Sequence, residues 1–243
     1  MEEVRLQKFM ADQGICSRRK AEEFILEGKI KVNGKVISEM GVKIDPEKDT
    51  VELNGKKVGL SKDQKIYIAL NKPIDYICSS SNEQGQSVLD LVIPENYWKN
   101  DKVGVGTRVY PVGRLDKDSE GLVLLTNDGD LTQELTHPKY EHEKEYELMI
   151  NSRLSKDAKQ VLEGGMDIGE DTVKGIKIIK EGQIGRKVIL EVILEEGKNR
   201  QIKRMFGRLG YDLYSLKRTR IGKLKLGTLP VGRWRFVRKD QII

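Results

Sequence analysis

Cysteine is nearly absent from this 243-residue chain: only Cys16 and Cys78 occur, outside any CxxC or Cys/His metal spacing. A disulfide framework therefore has nothing to be built from, and the pair suits a reducing, cytoplasmic setting. Histidine is equally scarce, with only His137 and His142. No cysteine cluster joins them, which sets zinc hydrolysis and zinc deamination aside and leaves them as ordinary surface histidines. No stretch approaches the roughly 18 uninterrupted apolar residues of a membrane span. The first residues, Met1 to Arg5, lack the apolar core of a secretory signal. There is no GxxxxGK[ST] loop, no GxGxxG fingerprint after a strand and no GxSxG elbow. Carboxylate chemistry is the source of catalysis that remains.

What is present is a globular balance, 37% hydrophobic and 34% charged, in a length that fits two modest domains. The net charge of +6 is unevenly placed. From Lys198 onward fourteen basic residues face only Asp212 and Asp240, a local +12, so the rest of the chain carries −6. Such asymmetry points to a located phosphate-binding surface, against the plainer reading of a solvated basic tail.

Residues 5–58 read as one small unit. Leu6, Phe9 and Met10 have helical spacing, with Gly14 as a stop. Ser17 suits the N-cap of a second helix that buries Ala21, Phe24 and Ile25 and ends at Gly28. Asn33-Gly34 and Asn54-Gly55 each sit between short β-prone runs, as type I′ hairpin turns require. Arg18, Arg19 and Lys20 occupy the first turn of the second helix, where the macrodipole disfavours cations. They are either simply solvated or poised for a phosphate that approaches the helix N–H groups. The run RLQKFMADQGICSRRKAEEFILEGKIKVNGKVI resembles the S4 RNA-binding domain, over nearly all of residues 4–50. The resemblance implies that the two-helix face grips structured RNA, with Arg5, Arg18, Arg19 and Lys20 as its RNA-binding residues.

Gly59 to Gln64 is polar and reads as a linker. Beyond it, strands are expected over 66–70, 122–126, 146–150 and 187–194. Helices are expected over 131–136 with Asp130 as N-cap, from Ser155 through Leu162, and over 199–209 closed by Gly210. Irregular interleaving argues for α+β rather than a repeating βαβ layout. Residues 82–107 show no element and read as a long, mobile insert. In the 199–209 helix, Ile202, Met205, Phe206 and Leu209 form an apolar stripe, while Arg200, Arg204 and Arg208 recur on the opposite face beside Lys203. That basic stripe is either a phosphate track or a solvated face.

The segment from Tyr110 to Gly129 places Asp116, Asp118 and Glu120 in a polar bend before an apolar strand. From pattern alone this is a turn before a buried strand as readily as a catalytic loop. GRLDKDSEGLVLLTNDG, however, resembles the nucleophile motif of the RNA pseudouridine synthases, in the family of the RsuA, RluB and RluF ribosomal-RNA enzymes. LNKP at 70–73, HEKEYEL at 142–148, EGKNRQIKRMFGRLGY at 196–211 and LKRTRIGKLKLGTLPVGRWR at 216–235 resemble further motifs of that family, in its order. Lys117 and the KRTRI segment look most like the RluF-like branch.

The resemblance implies conversion of uridine to pseudouridine, an isomerisation that needs neither metal nor redox cofactor. It implies Asp116 as nucleophile, Tyr146 against the uracil, and Arg200 paired with the catalytic carboxylate. It implies further that Arg114 fills the gap left by an everted nucleotide, that Leu216 lines the uracil pocket, and that Lys72 with Pro73 supports the wall of the site. Lys72, Lys203 and Arg204 join Arg114 and Leu216 as expected substrate-binding residues. Arg208, Arg218 and Arg220 are expected on the RNA-binding surface. The resulting expectation is an S4-like domain over 1–59, a linker over 60–64 and a synthase domain over 65–243 with a mixed, mostly antiparallel sheet. The expected partner is structured RNA, 23S ribosomal RNA first and transfer RNA second, bound by a cytoplasmic monomer with no membrane or DNA partner. The alternative is a non-catalytic RNA-binding factor for ribosome assembly that retains the fold.

Overall fold

Asparagine and glycine tolerate positive φ, and both Asn-Gly pairs use that freedom. A computed structural model describes residues 3–59, 64–81, 83–99 and 103–243. In it, Asn33 and Gly34 take φ of 51° and 78° and join Ile30–Val32 to Lys35–Ile37. Asn54 and Gly55, at 50° and 76°, join Val51–Leu53 to Lys56–Lys57. These four strands form one sheet. Helices α1 (Leu6–Asp12) and α2 (Arg18–Leu26) bury Leu6, Phe9, Met10, Ala21 and Ile25 against Ile30, Ile44 and Val51. Ser17 caps α2 by accepting the Lys20 N–H at 3.1 Å. Phe24 is only half-buried, with the Lys20 and Lys29 ammonium groups over its ring.

The chain divides into two compact units, the first drawn mainly from residues up to Lys65 and the second mainly from Ile66 onward. Of the expected linker, residues 60–63 lie outside the described residues. No helix of the described residues is long and apolar enough to cross a membrane.

The second unit is built on a nine-stranded mixed sheet. Its principal strands are β1 (Tyr67–Lys72), β2 (Glu120–Thr126), β3 (Lys144–Ile150), β4 (Lys177–Ile184), β5 (Lys187–Leu194), β6 (Leu213–Ile221) and β7 (Trp234–Phe236). They lie in the order β4-β5-β3-β6-β2-β1-β7. Every neighbouring pair is antiparallel except β2 and β6, which run parallel. On one face Leu70, Val123, Leu148 and Leu190 meet Leu162 of α4 (Lys156–Gly164) and Ile202, Met205 and Phe206 of α5 (Gln201–Arg208). On the other, Ala69, Leu122 and Leu124 meet Leu131 and Leu135 of α3 (Gly129–Thr136) and the C-terminal Leu229 and Ile242. Covered on both faces, β1 and β2 need continuous apolar runs, which is why they read as such. β5 alternates instead, burying Val188, Leu190, Val192 and Leu194.

Three local expectations change. Helix α3 begins at Gly129, so Asp130 lies in its first turn rather than at its N-cap. Helix α5 begins at Gln201, and Arg200 precedes it in a left-handed conformation at φ 49°. The insert expected over 82–107 is anchored where it is described. Ser87 forms a capping box for a 3₁₀ turn over Val88–Leu91, whose Val88 and Leu91 are buried in the main core. A second turn over Pro94–Asn96 leads to Tyr97, whose ring packs 4.8 Å from that of Trp234, while the Trp98 N–H donates to the Trp234 carbonyl. Isolated anchors between single 3₁₀ turns leave no periodicity for a sequence to display.

Gly121 sits where β2 and β6 come closest. Its φ is 105°, and an added Cβ would collide with the backbone carbonyl and amide of Arg218. Gly121→Ala is expected to destabilise the protein by more than about 2 kcal/mol, read from denaturant melts.

Candidate active site

The loop from Arg114 to Ser119 enters β2 at the parallel junction, and two buried cations hold it from either side. Across three strands Lys72 pairs with Gly121, and Gly121 pairs with Arg218. The Lys72 ammonium is fully buried and donates to the carbonyls of Ser119 at 2.6 Å, Pro73 at 2.9 Å and Lys117 at 3.3 Å. Burial depresses its pKa, against the opposing charges of Asp118 and Asp116. From the other side Arg218 donates through Nε to the Leu122 carbonyl at 2.9 Å and through Nη1 to the Arg114 carbonyl at 3.3 Å. The Leu115 N–H donates to Cys78 Sγ at 3.3 Å, and the Ser119 N–H to the Asp116 carbonyl at 3.1 Å. Carbonyls of a tight turn need donors, and here one lysine and one arginine side chain supply them.

Above this support opens a pocket of about 760 Å³ whose walls include Arg114, Asp116, Tyr146, Arg200, Leu216 and Arg218. Tyr146 and Leu216 come from adjacent strands β3 and β6, both more than nine-tenths buried. Arg114 is exposed at the rim, after Gly113 with φ 69°. Asp116 is partly exposed, and its Oδ2 lies 3.5 Å from Arg200 Nη1. The main partner of Arg200 is another carboxylate: Asp118 accepts from Nη1 at 3.2 Å and from Nη2 at 3.0 Å. Lys203 also pairs with Asp118, at 2.5 Å. Partial burial opposes the charge of Asp118, yet hydrogen bonds from Arg200 and Lys203 hold its carboxyl down to about 2. Hydrogen bonding to Asp118 raises Arg200 in turn. Lys144, half-buried on the pocket wall, is lowered by desolvation and by the charge of Arg218.

The structure redistributes several expected roles. Lys72, expected to bind substrate, has no exposed surface and instead holds the loop. Arg218, expected on an RNA-facing surface, is 3% exposed in the pocket wall, where it donates to the Leu122 and Arg114 carbonyls. Arg220 is occupied by Glu145 at 2.6 Å and Glu143 at 2.9 Å, so its charge is already neutralised. Arg204 donates to the Ile168 carbonyl at 2.6 Å and pairs with Asp171, so its guanidinium is already engaged. With Arg200 outside the helix, the expected stripe reduces on α5 to Arg204 and the exposed Arg208. His137 and His142, read as ordinary surface residues, both line the pocket. In the sequence Asp118 is visible only as part of the bend, although Arg200 and Lys203 converge on it in the fold. Lys144 carries no motif signal of its own; only its two-residue spacing from Tyr146, which puts both on one strand face, points to the pocket. Among the described residues no group of three or more His, Cys, Asp or Glu side chains is gathered to hold a metal.

Comparison with known proteins places the chain in a family. The family model described as RNA pseudouridylate synthase matches residues 66–207, and the S4 domain model matches residues 4–51. The chain is 39% identical over 230 residues to ribosomal large subunit pseudouridine synthase B of Bacillus subtilis, covering 94% of this chain and 89% of the relative. It is 34% identical to the dual-specificity RNA pseudouridine synthase RluF of Escherichia coli, covering 99% of this chain and 77% of the relative. A crystal structure of a pseudouridylate synthase superposes with a TM-score of 0.64 at 26% identity, covering 98% of this chain and 97% of that one.

Proposed function

This chain belongs to the RNA pseudouridylate synthase family and carries an S4 domain, and we propose that it isomerises a specific uridine of 23S ribosomal RNA with Asp116 as the nucleophile. The observation that carries the reading is the convergence of Asp116, Tyr146, Leu216 and Arg200 on one pocket, with Asp116 on a loop held by buried cations. The name of the Bacillus subtilis relative, which refers to the large ribosomal subunit, supports the choice of 23S RNA. Transfer RNA is the second candidate substrate.

The reaction exchanges one bond for another. The bond from ribose C1′ to uracil N1 breaks, C1′ bonds to C5, the C5 proton leaves and N1 gains a proton. The Asp116 carboxylate attacks the nucleotide and later departs, so no electrons are gained or lost. Tyr146 lines the pocket and is 7% exposed, so its ring can pack on the uracil, and its hydroxyl assists removal of the C5 proton. Leu216 supplies an apolar surface beside it. A stacked uridine must leave its helix to reach this depth, at about a few kcal/mol. Arg114, exposed at the rim, takes the vacated place. The retention of Asp116, Tyr146 and Arg200 together speaks against a non-catalytic assembly factor.

The S4 unit docks folded RNA. Arg5, Arg18 and Arg19 are exposed there, whereas Lys20 is shared with Glu23 at 2.5 Å. Arg18→Ala with Arg19→Ala is expected to weaken RNA binding and to reduce the salt slope by about 1–2, since phosphate contacts release counterions. Melting temperature should hold or rise slightly, because two cations leave a helix N-terminus. A monomer in the cytoplasm is the state in which this activity is proposed.

The test of the activity is tritium release from RNA labelled at uridine C5, since the hydrogen there is lost as the new bond forms. Release from 23S transcripts, with less or none from 16S transcripts, is expected. Release from 16S or transfer RNA alone would overturn the choice of substrate.

A further inference from the structure

Two carboxylates compete for one guanidinium at the mouth of the pocket, and the one assigned to chemistry receives less of it. Both hydrogen bonds of Arg200 go to Asp118, at 3.2 and 3.0 Å. Asp116 Oδ2 stands 3.5 Å from Nη1, close enough for Coulomb attraction but beyond a normal hydrogen bond. The arrangement is fixed from three directions. Lys203 holds Asp118 from α5 at 2.5 Å and donates to its carbonyl at 3.3 Å. Lys72 fixes the loop on both sides of Asp118, through the carbonyls of Lys117 and Ser119. Arg200 itself enters the helix from a left-handed conformation, at φ 49° and ψ 30°. That backbone state is disfavoured for a residue with a Cβ and persists where surroundings enforce it.

We propose that Asp118 is a positioning residue that draws the Arg200 guanidinium off Asp116, leaving the charge of Arg200 beside the nucleophile without tying up its oxygens. A carboxylate gripped by both prongs of an arginine has its lone pairs engaged and its charge quenched. One with the same cation a little farther off keeps electrostatic support and a free oxygen for attack. The inference rests on the reading of Asp116 as the nucleophile.

The sign of a pH effect distinguishes a residue that draws Arg200 off Asp116 from one that guides Arg200 to it. Charged and titratable groups face Asp116 from every side of the pocket: Arg114, Lys72, Asp118, Arg200 and Lys203 at its loop, Lys144, Tyr146 and Arg218 from the sheet, His137, Glu141 and His142 after α3, and Lys174, Glu195, Glu196 and Lys198 on the remaining wall. Asp118 stays ionised until the pH falls to about 2, so it contributes no titration of its own to an acid limb at higher pH. When Asp118→Asn removes the competing charge, Arg200 closes on Asp116 and stabilises its ionised form. The acid limb of kcat/KM, which reports the free enzyme, then moves to lower pH. Were Asp118 instead a guide that brings Arg200 to Asp116, its loss would move the limb upward.

The experiment compares the full-length wild type with Asp116→Ala, Asp118→Asn and Asp118→Glu, using tritium release from one RNA transcript across pH. Asp118→Asn is expected to lower kcat by about 10-fold with little change in KM and to move the acid limb down by about one pH unit. Asp118→Glu, which restores the competing charge, should return the limb toward its wild-type position. A limb that stays in place or moves up in Asp118→Asn overturns the proposal, whatever happens to kcat. If Asp118→Asn melts early, Asp118→Ser is read by the same criterion. Activity remaining in Asp116→Ala would instead sink the underlying nucleophile assignment, an outcome read from a separate variant.

Discussion

Asp116→Ala is expected to lower pseudouridine formation by about four orders of magnitude or more while leaving RNA affinity nearly unchanged. Removing a nucleophile eliminates the covalent step, which no neighbouring group can take over. Asp118 lies only two residues away, but its carboxylate is bonded to both Arg200 and Lys203. Affinity should survive because Asp116 contributes no cation to phosphate binding. Single-turnover tritium release together with filter binding on the same transcript checks both halves of this expectation. A variant that kept a tenth of its activity would place the attacking group elsewhere.

The second large effect is structural and begins at a residue with no exposed surface. Lys72→Met keeps most of the side-chain volume but removes an ammonium that serves the carbonyls of Pro73, Lys117 and Ser119. Hydrogen bonds to charged groups contribute more than neutral ones, and buried carbonyls left unpaired are costly. The expected loss is about 3 kcal/mol, a fall in melting temperature of about 6–12 °C for a chain of this size. Activity should fall further than stability explains, by about 100-fold, because the loop that carries Asp116 loses its anchor. Lys72→Arg should not restore it, since the planar fork has no room where the lysine is 0% exposed. Calorimetry and kcat measured well below the melting point separate the two consequences.

How much of this was legible in the sequence depends on how local each cause is. The hairpins at Asn33-Gly34 and Asn54-Gly55, the Ser17 cap and the apolar runs of β1 and β2 follow from nearest neighbours, and each signal is present in a few residues. The candidate site was legible as motifs: Asp116, Tyr146 and Leu216, drawn from three separate segments, do share one pocket. What the sequence hid is the partner of each charge. Arg218 and Arg220 stand two residues apart in one strand, yet one satisfies backbone carbonyls and the other meets Glu145 of the adjacent strand and Glu143 just before it. A register shift of β3 against β6 between Glu145 and Tyr146 separates their surroundings, and no local pattern records it. A lone lysine ending an apolar strand, such as Lys72, carries no mark of complete burial in the sequence and reads as a wall residue that meets substrate. Arg200 looked helical because its spacing to Arg204 is helical, whereas the αL turn before Gln201 depends on how the chain enters α5. The pairing of Arg200 with Asp118 spans 82 residues of sequence, beyond the reach of any spacing argument.

The measurement that bears most directly on the central claim is a map of pseudouridines, by carbodiimide labelling and primer extension, in ribosomal and transfer RNA. Cells with the wild-type protein, with no protein and with Asp116→Ala are compared. The account predicts a uridine in 23S RNA that is modified only when the wild type is present. Identical maps from all three strains would contradict it.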